Sequence, residues 1–186
     1  MAQLSLGQFP SKFDESGPFF PMVSALVVSI IGLNATCDPS NPLKYEANHA
    51  FLLTGEVHPD ITLYPYEVCQ LAVTRKIDAK SVMGSLFGML VNTAYESVRD
   101  RNDHSPEFEF FRHIRNAGSH RNSLYFFPNE PIRPAEWRRR QIDHTSRGDA
   151  NPLQGRLCFG DYLGPADAIA LLWDIEQHLA RQGSTP

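Results

Sequence analysis

Apolar side chains recur at three- and four-residue steps along much of the chain, which predicts an all-α fold. The clearest helix runs from Ser81, its predicted N-cap, to about Arg101. One continuous stripe forms its inner face: Met83, Leu86, Phe87, Leu90, Val91, Ala94, Tyr95 and Val98. Gly84 and Gly88 interrupt this helix, and each disfavours a helix interior by roughly 1 kcal/mol. Their presence predicts that another helix packs closely against them.

The N-terminal part of the chain predicts an irregular arm followed by three shorter elements. Residues 1–18 show no period and are expected to form the arm. Pro21 opens a helix to about Leu33, which we expect inside the bundle because it is apolar on nearly every side. A short helix is predicted over 45–54, a connection over 57–64, and a further helix over 65–77.

The C-terminal part contains the two best-marked helix starts. Ser105-Pro106-Glu107 combines an N-cap, a proline at the first helical position and an early acid. Gly118 is the candidate stop of this helix, whose inner face comprises Phe110, Phe111, Ile114 and Ala117. The last helix starts at Pro165, and only Glu176 breaks its apolar stripe.

Between these two helices the periodicity changes. LYFF (124–127), a proline-rich turn and GRLCFG (155–160) predict a small β-hairpin or irregular insert over about 122–162. The whole pattern therefore predicts a four- to five-helix bundle over residues 19–182, as a single domain with that insert before the last helix.

Composition excludes several classes of protein. The apolar run FFPMVSALVVSIIGL (19–33) is shorter than the roughly 20 residues of a membrane span, and acids precede it, so we expect no membrane association and a cytoplasmic location. The three cysteines, Cys37, Cys69 and Cys158, form no CxxC pair. They are expected to be small buried residues, and no metal or cofactor is predicted.

Charge is distributed unevenly along the chain. Residues 112–147 carry eight arginines, no lysine and three acids, whereas the segments on both sides are net acidic. Because a guanidinium binds phosphate through two parallel hydrogen bonds, this block indicates a polyanionic partner. A solvated arginine face that pairs with acidic helices of the same chain explains the block equally well.

A candidate site emerges at Arg115-Asn116-Ala117-Gly118-Ser119-His120. The Arg-x4-His spacing is uninformative by itself, because Arg99…His104 and Arg139…His144 repeat it. Only the pair at 115 and 120 belongs to a strongly aromatic helix, which can hold a site rigidly. Residues five apart on an unbroken helix point about 140° away from each other. We therefore expect either a break at Gly118 or a second copy of the chain to complete the site.

These residue types suit the cleavage of RNA without a metal. A base removes the proton of the ribose 2′-OH, and a cation stabilises the charge that develops on the phosphate. His120 is the candidate base, Arg115 the cation, and Asn116 a donor and acceptor that orients the reacting group. Their neighbours Arg112, His113 and Arg121 are candidate RNA-binding residues.

The segment FEFFRHIRNAGSHRN (108–122) resembles the signature of the HEPN superfamily, and the similarity extends over roughly 81–180. The stretch LCFGDYLGPADAIALLWDIEQHL (157–179) is similar to the closing part of stand-alone bacterial members. The resemblance implies a helical bundle, a homodimer that places two motifs in one cleft, and metal-independent endoribonuclease activity. Such proteins commonly act as toxins or in antiphage defence, which implies an antitoxin or a defence-system partner.

The chain departs from one branch of that superfamily. Members regulated by tyrosine AMPylation carry a Tyr two residues after the motif His, where this chain has Asn122. Some HEPN domains are also catalytically silent. Two functions therefore stay open: an endoribonuclease, or a non-catalytic binding module that recognises RNA, a nucleotide or a partner protein.

Overall fold

A computed structural model describes residues 13–38, 40, 46–57, 59–74, 76–143, 146 and 150–183. The chain is mostly helical, as predicted, and two small antiparallel hairpins accompany the helices. It divides into two compact units. The larger unit comprises Met1–Leu26 with Gly84–Pro186, and the smaller unit comprises Val27–Met83. Residues 1–12 of the predicted arm lie outside the described residues.

Five helices and four short strands follow one another along the chain. The helices are α1 (Phe20–Cys37), α2 (Pro65–Val73), α3 (Ala79–Val98), α4 (Pro106–Ser119) and α5 (Pro165–Gly183). The strands pair as β1 (Phe51–Leu53) with β2 (Ile61–Leu63), and as β3 (Ala135–Trp137) with β4 (Arg140–Ile142). A 3-10 turn, Arg99–Arg101, follows α3.

The core of the larger unit is built around α4. Phe110, Phe111 and Ile114 are fully buried there, together with Leu171 and Leu172 of α5. Phe13, from the described end of the arm, and Phe19, directly before α1, also enter the interior. Phe19 meets the ring of Phe111 edge-on, at 6.4 Å between ring centroids. The described part of the arm, 13–18, is irregular, as predicted, but Phe13 packs it against the core rather than leaving it free.

Two glycines allow α3 and α4 to approach closely. A Cβ atom at Gly118 would lie 2.8 Å from the carbonyl oxygen of Gly88, and one at Gly88 would lie 3.3 Å from the carbonyl oxygen of Gly118. The predicted close packing against α3 is therefore confirmed at Gly88. Gly118 was expected to stop or break α4. The helix ends one residue later, at Ser119, and it is continuous through Gly118, so no break is present there.

The segment between α4 and α5 contains the second hairpin, as expected of the insert. Its strands, however, are β3 and β4 rather than 124–127 and 155–160. Those two stretches are joined by two backbone hydrogen bonds, from the Leu124 amide to the Arg156 carbonyl and from the Gly155 amide to the Leu124 carbonyl, and an isolated antiparallel bridge links Ser123 with Leu157. Trp137 at the end of β3 stacks near Phe110, and its indole N–H donates to Asp174 of α5 over 2.8 Å. The hairpin is thereby fixed to both helices.

The smaller unit contains a hairpin where a helix was predicted. Residues 51–53 of the predicted helix 45–54 form β1, and the predicted connection 57–64 contains β2. Phe51 pairs with Leu63 and Leu53 with Ile61. Each strand is only three residues long, so its apolar run shows neither the period of a helix nor that of a strand, and local pattern alone does not separate the two.

Helix α1 is far more exposed than its sequence predicts. Only Val23 and Leu26 are buried within it, whereas Val28 is 69% and Ile31 is 58% exposed. The prediction that this helix lies inside the bundle is therefore wrong beyond Leu26. Among the described residues, α1 is the one helix whose length and composition would allow it to cross a membrane.

Candidate active site at the end of helix α4

The candidate site is mounted on a rigidly held helix. Ser105 caps α4 by accepting a hydrogen bond from the Phe108 amide over 3.4 Å, and Pro106 occupies the first turn. Glu107 and Glu109 place negative charge at the positive end of the helix dipole. The start predicted from sequence is confirmed. Because α4 is buried over most of its surface, the residues of its last turn are held in defined positions.

Arg115 lies at the edge of the bundle with its side chain 33% exposed. Its guanidinium donates one hydrogen bond to Glu96 of α3 and another, over 3.2 Å, to the side-chain oxygen of Asn116. The group also lies over the ring of Tyr95, 5.7 Å from its centroid. The buried Nε of Arg115 has no hydrogen-bond partner among the described residues. Arg115 is therefore held by an acid but still reaches solvent.

Asn116 links Arg115 to a buried carboxylate. While its oxygen accepts from Arg115, its amide nitrogen donates to Glu130 over 3.1 Å. Arg112 donates to the same oxygen of Glu130, and to Glu109 over 2.8 Å. Asn116 is only 9% exposed. It is placed to orient Arg115 rather than to meet a substrate directly.

The structure places Arg112 and His113 inside the protein, which does not suit the RNA-binding role predicted for them. His113 is 2% exposed, and the Arg112 side chain is 16% exposed. Nε2 of His113 lies 2.9 Å from a guanidinium nitrogen of Arg112, and Nδ1 lies 3.9 Å from Glu130. Since their polar groups face each other and two buried acids, both residues stabilise the fold instead of presenting donors to a phosphate.

The partners of the buried acid Glu109 favour its ionised form. Burial by itself raises the pKa of this carboxyl, but the hydrogen bond and charge of Arg112, with hydrogen bonds from His104 and Arg133, outweigh it and leave the pKa below its usual value. Conversely, burial lowers the pKa of Arg112, and its hydrogen bonds to Glu109 and Glu130 raise it above the usual value. The first turns of α4 therefore carry a closely paired network of acids and an arginine.

His120 follows the last residue of α4, and it contacts a different part of the protein. Its ring stacks on Tyr125 with centroids 4.8 Å apart, and meets the edge of Phe127 at 5.4 Å. Tyr125 and Phe127 are 38% and 43% exposed. Within the described ranges, neither ring nitrogen of His120 forms a hydrogen bond. The imidazole is oriented by stacking, and its nitrogens are available to exchange a proton.

A left-handed turn directly after His120 sets the direction of the chain. Arg121 and Asn122 have φ angles of 56° and 64°, a region that asparagine tolerates and arginine does not favour. The side chain of Asn122 donates to the carbonyl of Phe159 over 2.9 Å and accepts from its amide over 2.7 Å. Arg121 is exposed, and its role as an RNA-binding residue stays a prediction.

The arginine block serves two purposes. Seven of its eight members are described, and four of these pair with acids of the same chain: Arg112, Arg115, Arg133 and Arg138. The remaining three, Arg121, Arg139 and Arg140, are exposed and form no ion pair within the described chain. Pairing thus explains about half of the block, and the rest provides positive charge at the surface.

The structure does not bring Arg115 and His120 together within one chain. Arg115 faces α3, whereas His120 faces the segment 125–127, and the two share no contact among the described residues. Helix α4 is continuous through Gly118 and ends before His120, so the 140° separation expected on an unbroken helix does not apply to this pair. Completion of the site by a second copy of the chain stays a prediction.

Sequence reasoning missed four residues that shape the site. Glu96 and Glu130 supply the carboxylates, and Tyr125 and Phe127 supply the aromatic surface. Glu96 was within reach of prediction, because it follows the inner-face residue Tyr95 on α3. The other three lie in the irregular insert, where no periodicity indicates which side chains turn toward α4.

No family model, no curated protein and no solved structure matches this chain. The described residues contain no group of three or more His, Cys, Asp or Glu side chains placed to hold a metal ion. Cys158 is buried, and burial raises the pKa of its thiol to about 12, so it is a packing residue rather than a nucleophile.

Proposed function

We propose that this protein is a HEPN-like, metal-independent endoribonuclease that acts as a homodimer. The observation that carries the proposal is the environment of the His120 side chain. Its imidazole is oriented by two aromatic rings, is partly exposed and keeps both nitrogens available, at the end of the helix that also bears Arg115. A histidine in that state suits proton transfer near neutral pH better than a structural role, for which its nitrogens would be bonded.

In the proposed reaction His120 accepts the proton of a ribose 2′-OH. The 2′-oxygen forms a bond to the adjacent phosphorus, the bond from phosphorus to the 5′-oxygen breaks, and that oxygen leaves with a proton taken from solvent, to which His120 returns the proton it accepted. The products are a 2′,3′-cyclic phosphate and a 5′-hydroxyl. Arg115 stabilises the charge on the phosphate oxygens, and Asn116 keeps its guanidinium in place. The proposed second copy supplies the Arg115 that faces each His120.

The proposed setting is the cytoplasm, as a toxin or an antiphage-defence effector, and an antitoxin or defence-system protein is the expected partner. Arg121, Arg139 and Arg140 support an RNA substrate, because they leave positive charge uncompensated at the surface. The weakly held Arg115–Glu96 pair is compatible with this setting, since an exposed ion pair contributes at most about 1 kcal/mol and a phosphate can displace the acid.

A non-catalytic binding module is the second candidate. The observation that favours it is the engagement of Arg115 by Glu96 and of Asn116 by Glu130, which leaves neither side chain unoccupied. In that case the exposed arginines would bind RNA, a nucleotide or an acidic partner, and His120 would add a contact without moving a proton.

Cleavage of RNA in EDTA separates the two candidates. We expect the unmutated protein to cut single-stranded RNA, and His120→Ala and Arg115→Ala each to lower the rate at least about 100-fold. Arg99→Ala is the matched control, because Arg99 is also exposed and also pairs with Glu96, over 3.1 Å. Binding without cutting, across RNAs of varied sequence, would favour the binding module. Equal cutting by all four proteins would contradict the proposed site.

A further inference from the structure

The smaller unit, Val27–Met83, has almost no interior. Among its described residues only Ala72 is buried. Thirteen of the eighteen large apolar side chains exposed in the described chain belong to this unit, which holds less than a third of the sequence: Val28, Ile31, Phe51, Leu52, Leu53, Val57, Ile61, Leu63, Tyr64, Tyr66, Val68, Leu71 and Val73. Both strands of its hairpin are exposed along their whole length. An isolated two-stranded hairpin is at best marginally stable in water. We therefore expect another surface to bury the exposed apolar side chains of this unit.

The exposed apolar area is large enough for a stable interface. Each of these thirteen side chains is at least 40% exposed, which amounts to roughly 1,000 Å² in total if a large apolar side chain offers about 150–200 Å². A standard protein–protein interface needs about 800 Å² from each partner. The summed apolar area of the unit, which is spread over α1, the hairpin and α2, is therefore of the size that a dimer requires.

A groove in this unit has the size of a partner's side chain. It measures about 210 Å³ and is lined by Thr36, Phe51, Leu63, Pro65, Val68 and Cys69. Sites for small molecules generally measure about 300–1,000 Å³ and contain a few converging polar groups. The lining of this groove is mostly apolar. It suits an inserted apolar side chain better than a metabolite.

The charge of the smaller unit indicates which class of partner it binds. Residues 27–83 contain six acids and four bases, so the unit is slightly acidic. A nucleic acid or an anionic lipid surface would select a basic unit. The charges of both signs are interspersed, which suits a protein partner that carries the same mixture.

We infer that the smaller unit is the homodimerisation surface of the protein and that a second copy of this chain covers it. The inference rests on the proposed function, which requires two copies, and it names the surface that joins them. A unit with one buried residue among those described needs a covering surface whenever the chain is folded, and another copy is always present in equal amount. A twofold arrangement would pair each apolar hairpin with the same surface of its partner.

Sedimentation equilibrium of the full chain tests the inference. We expect a mass twice the 20.9 kDa of the chain. Leu52→Glu, at a position 59% exposed, should weaken self-association at least about 100-fold, because it would bury an unpaired charge. Ile132→Glu in the larger unit, at a position 63% exposed, is the matched control and should leave the mass unchanged. Leu52→Ala is the milder variant and should weaken association about tenfold.

Hydrogen exchange assigns the surface independently of any mutation. In the unmutated protein, amides of residues 51–73 should exchange more slowly at dimeric than at monomeric concentrations. A monomeric protein, or a dimer unaffected by either Leu52 variant and unprotected over 51–73, would overturn the inference. Binding of the monomer to phosphatidylcholine vesicles that Leu52→Glu abolishes would also overturn it, in favour of a lipid surface. A dimer that fails to cut RNA would reject the proposed function and leave this inference intact.

Discussion

Glu96 accepts hydrogen bonds from two arginines, and only one of them belongs to the candidate site. Arg99 donates to one carboxylate oxygen, and Arg115 donates to the other. If Arg115 binds the scissile phosphate, Glu96 competes with the substrate for the same guanidinium. The acid then sets the affinity for RNA in addition to holding Arg115 in position.

We predict that Glu96→Gln binds RNA about fivefold more tightly, the equivalent of about 1 kcal/mol for an exposed ion pair. The measurement is the dissociation constant at fixed salt, in a His120→Ala background that prevents cutting. Asp100→Asn is the matched control, because it removes one negative charge beside Arg99 instead. An equal gain in both variants would mean that Arg115 does not contact the phosphate.

Tyr125 is a positioning residue for the imidazole of His120. We predict that Tyr125→Ala slows RNA cleavage about tenfold, since an aromatic pair contributes about 0.5–1.5 kcal/mol. Tyr125→Phe keeps the stacked ring and should retain at least about half of the rate. Cleavage rates across pH 5–8 provide the readout. A loss of activity in Tyr125→Phe equal to that in Tyr125→Ala would show that the hydroxyl, not the stack, matters.

At the scale of the helix, the two ends of α4 differ in how far their charged side chains are buried. Its first turns carry the buried network around Glu109 and Arg112, and its last turn carries Arg115 and the residues leading to His120. A charge in the first part is costly to leave without a partner, whereas a charge in the last part reaches water. Stability and function are therefore separable along one helix.

We predict that Arg112→Ala lowers the free energy of unfolding by about 3–5 kcal/mol, because Glu109 and Glu130 would stay buried without their shared cation. Arg115→Ala should lower it by less than about 1 kcal/mol. Urea denaturation at pH 7 measures both values. Comparable losses in the two variants would contradict the division of α4 into a structural and a functional part.

The crossing of α3 and α4 gives a second prediction at this scale. Gly118→Ala should destabilise the protein by about 1–3 kcal/mol, because its Cβ would meet backbone atoms of Gly88 that cannot move independently. Gly32→Ala in α1 is the matched control. Its Cβ would meet nothing within 4 Å, so the better helix propensity of alanine should stabilise by up to about 1 kcal/mol. Thermal unfolding of both variants checks the opposite signs.

At the scale of the whole molecule, Glu176 of α5 links stability to pH. It is 7% exposed, and burial raises its pKa; the Asp14 amide lowers the pKa, and the Asp14 charge raises it again. An acid whose pKa is raised by folding favours the folded state only while it is protonated. The stability that it contributes is lost as pH rises from the unfolded value, about 4.3, through the raised folded value.

We therefore predict that Glu176→Gln raises the free energy of unfolding at pH 8 by roughly 1 kcal/mol, since it removes a buried charge that has an unsatisfied oxygen. The gain should be smaller at pH 4.5, where Glu176 is protonated more often. Glu136→Gln, at the exposed position of β3, is the control and should be neutral at both pH values. An equal gain at pH 4.5 and pH 8 would contradict the account.

The fold was predictable where its causes are local. The start of α4 depends on Ser105 and Pro106, and α5 on Pro165, so both follow from adjacent residues. Helix α3 was predicted with the wrong cap: Asp78, not Ser81, accepts from the amides of the first turn. The predicted cap is three residues too late because Asp and Ser cap helices about equally well, so the sequence alone does not choose between Asp78 and Ser81.

The parts of the fold and of the site that were not predicted depend on contacts between residues far apart in the sequence. No local pattern shows that Glu130 lies beneath Asn116, fourteen residues away, or that Tyr125 stacks on His120. The exposure of α1 was equally hidden, because an exposed apolar helix has the same composition as one inside a core. The motif itself was predictable, whereas the buried carboxylate of Glu130 that restrains it was not.

The most direct test of the central claim is the chemistry of the cut end. A 5′-labelled single-stranded RNA is incubated in EDTA with the unmutated protein or with His120→Ala, beside the same oligonucleotide carrying 2′-deoxyribose throughout. The account predicts a 2′,3′-cyclic phosphate product from the ribose substrate alone, at least about 100-fold slower with His120→Ala. Cleavage of the deoxyribose substrate, or an undiminished rate with His120→Ala, would contradict it.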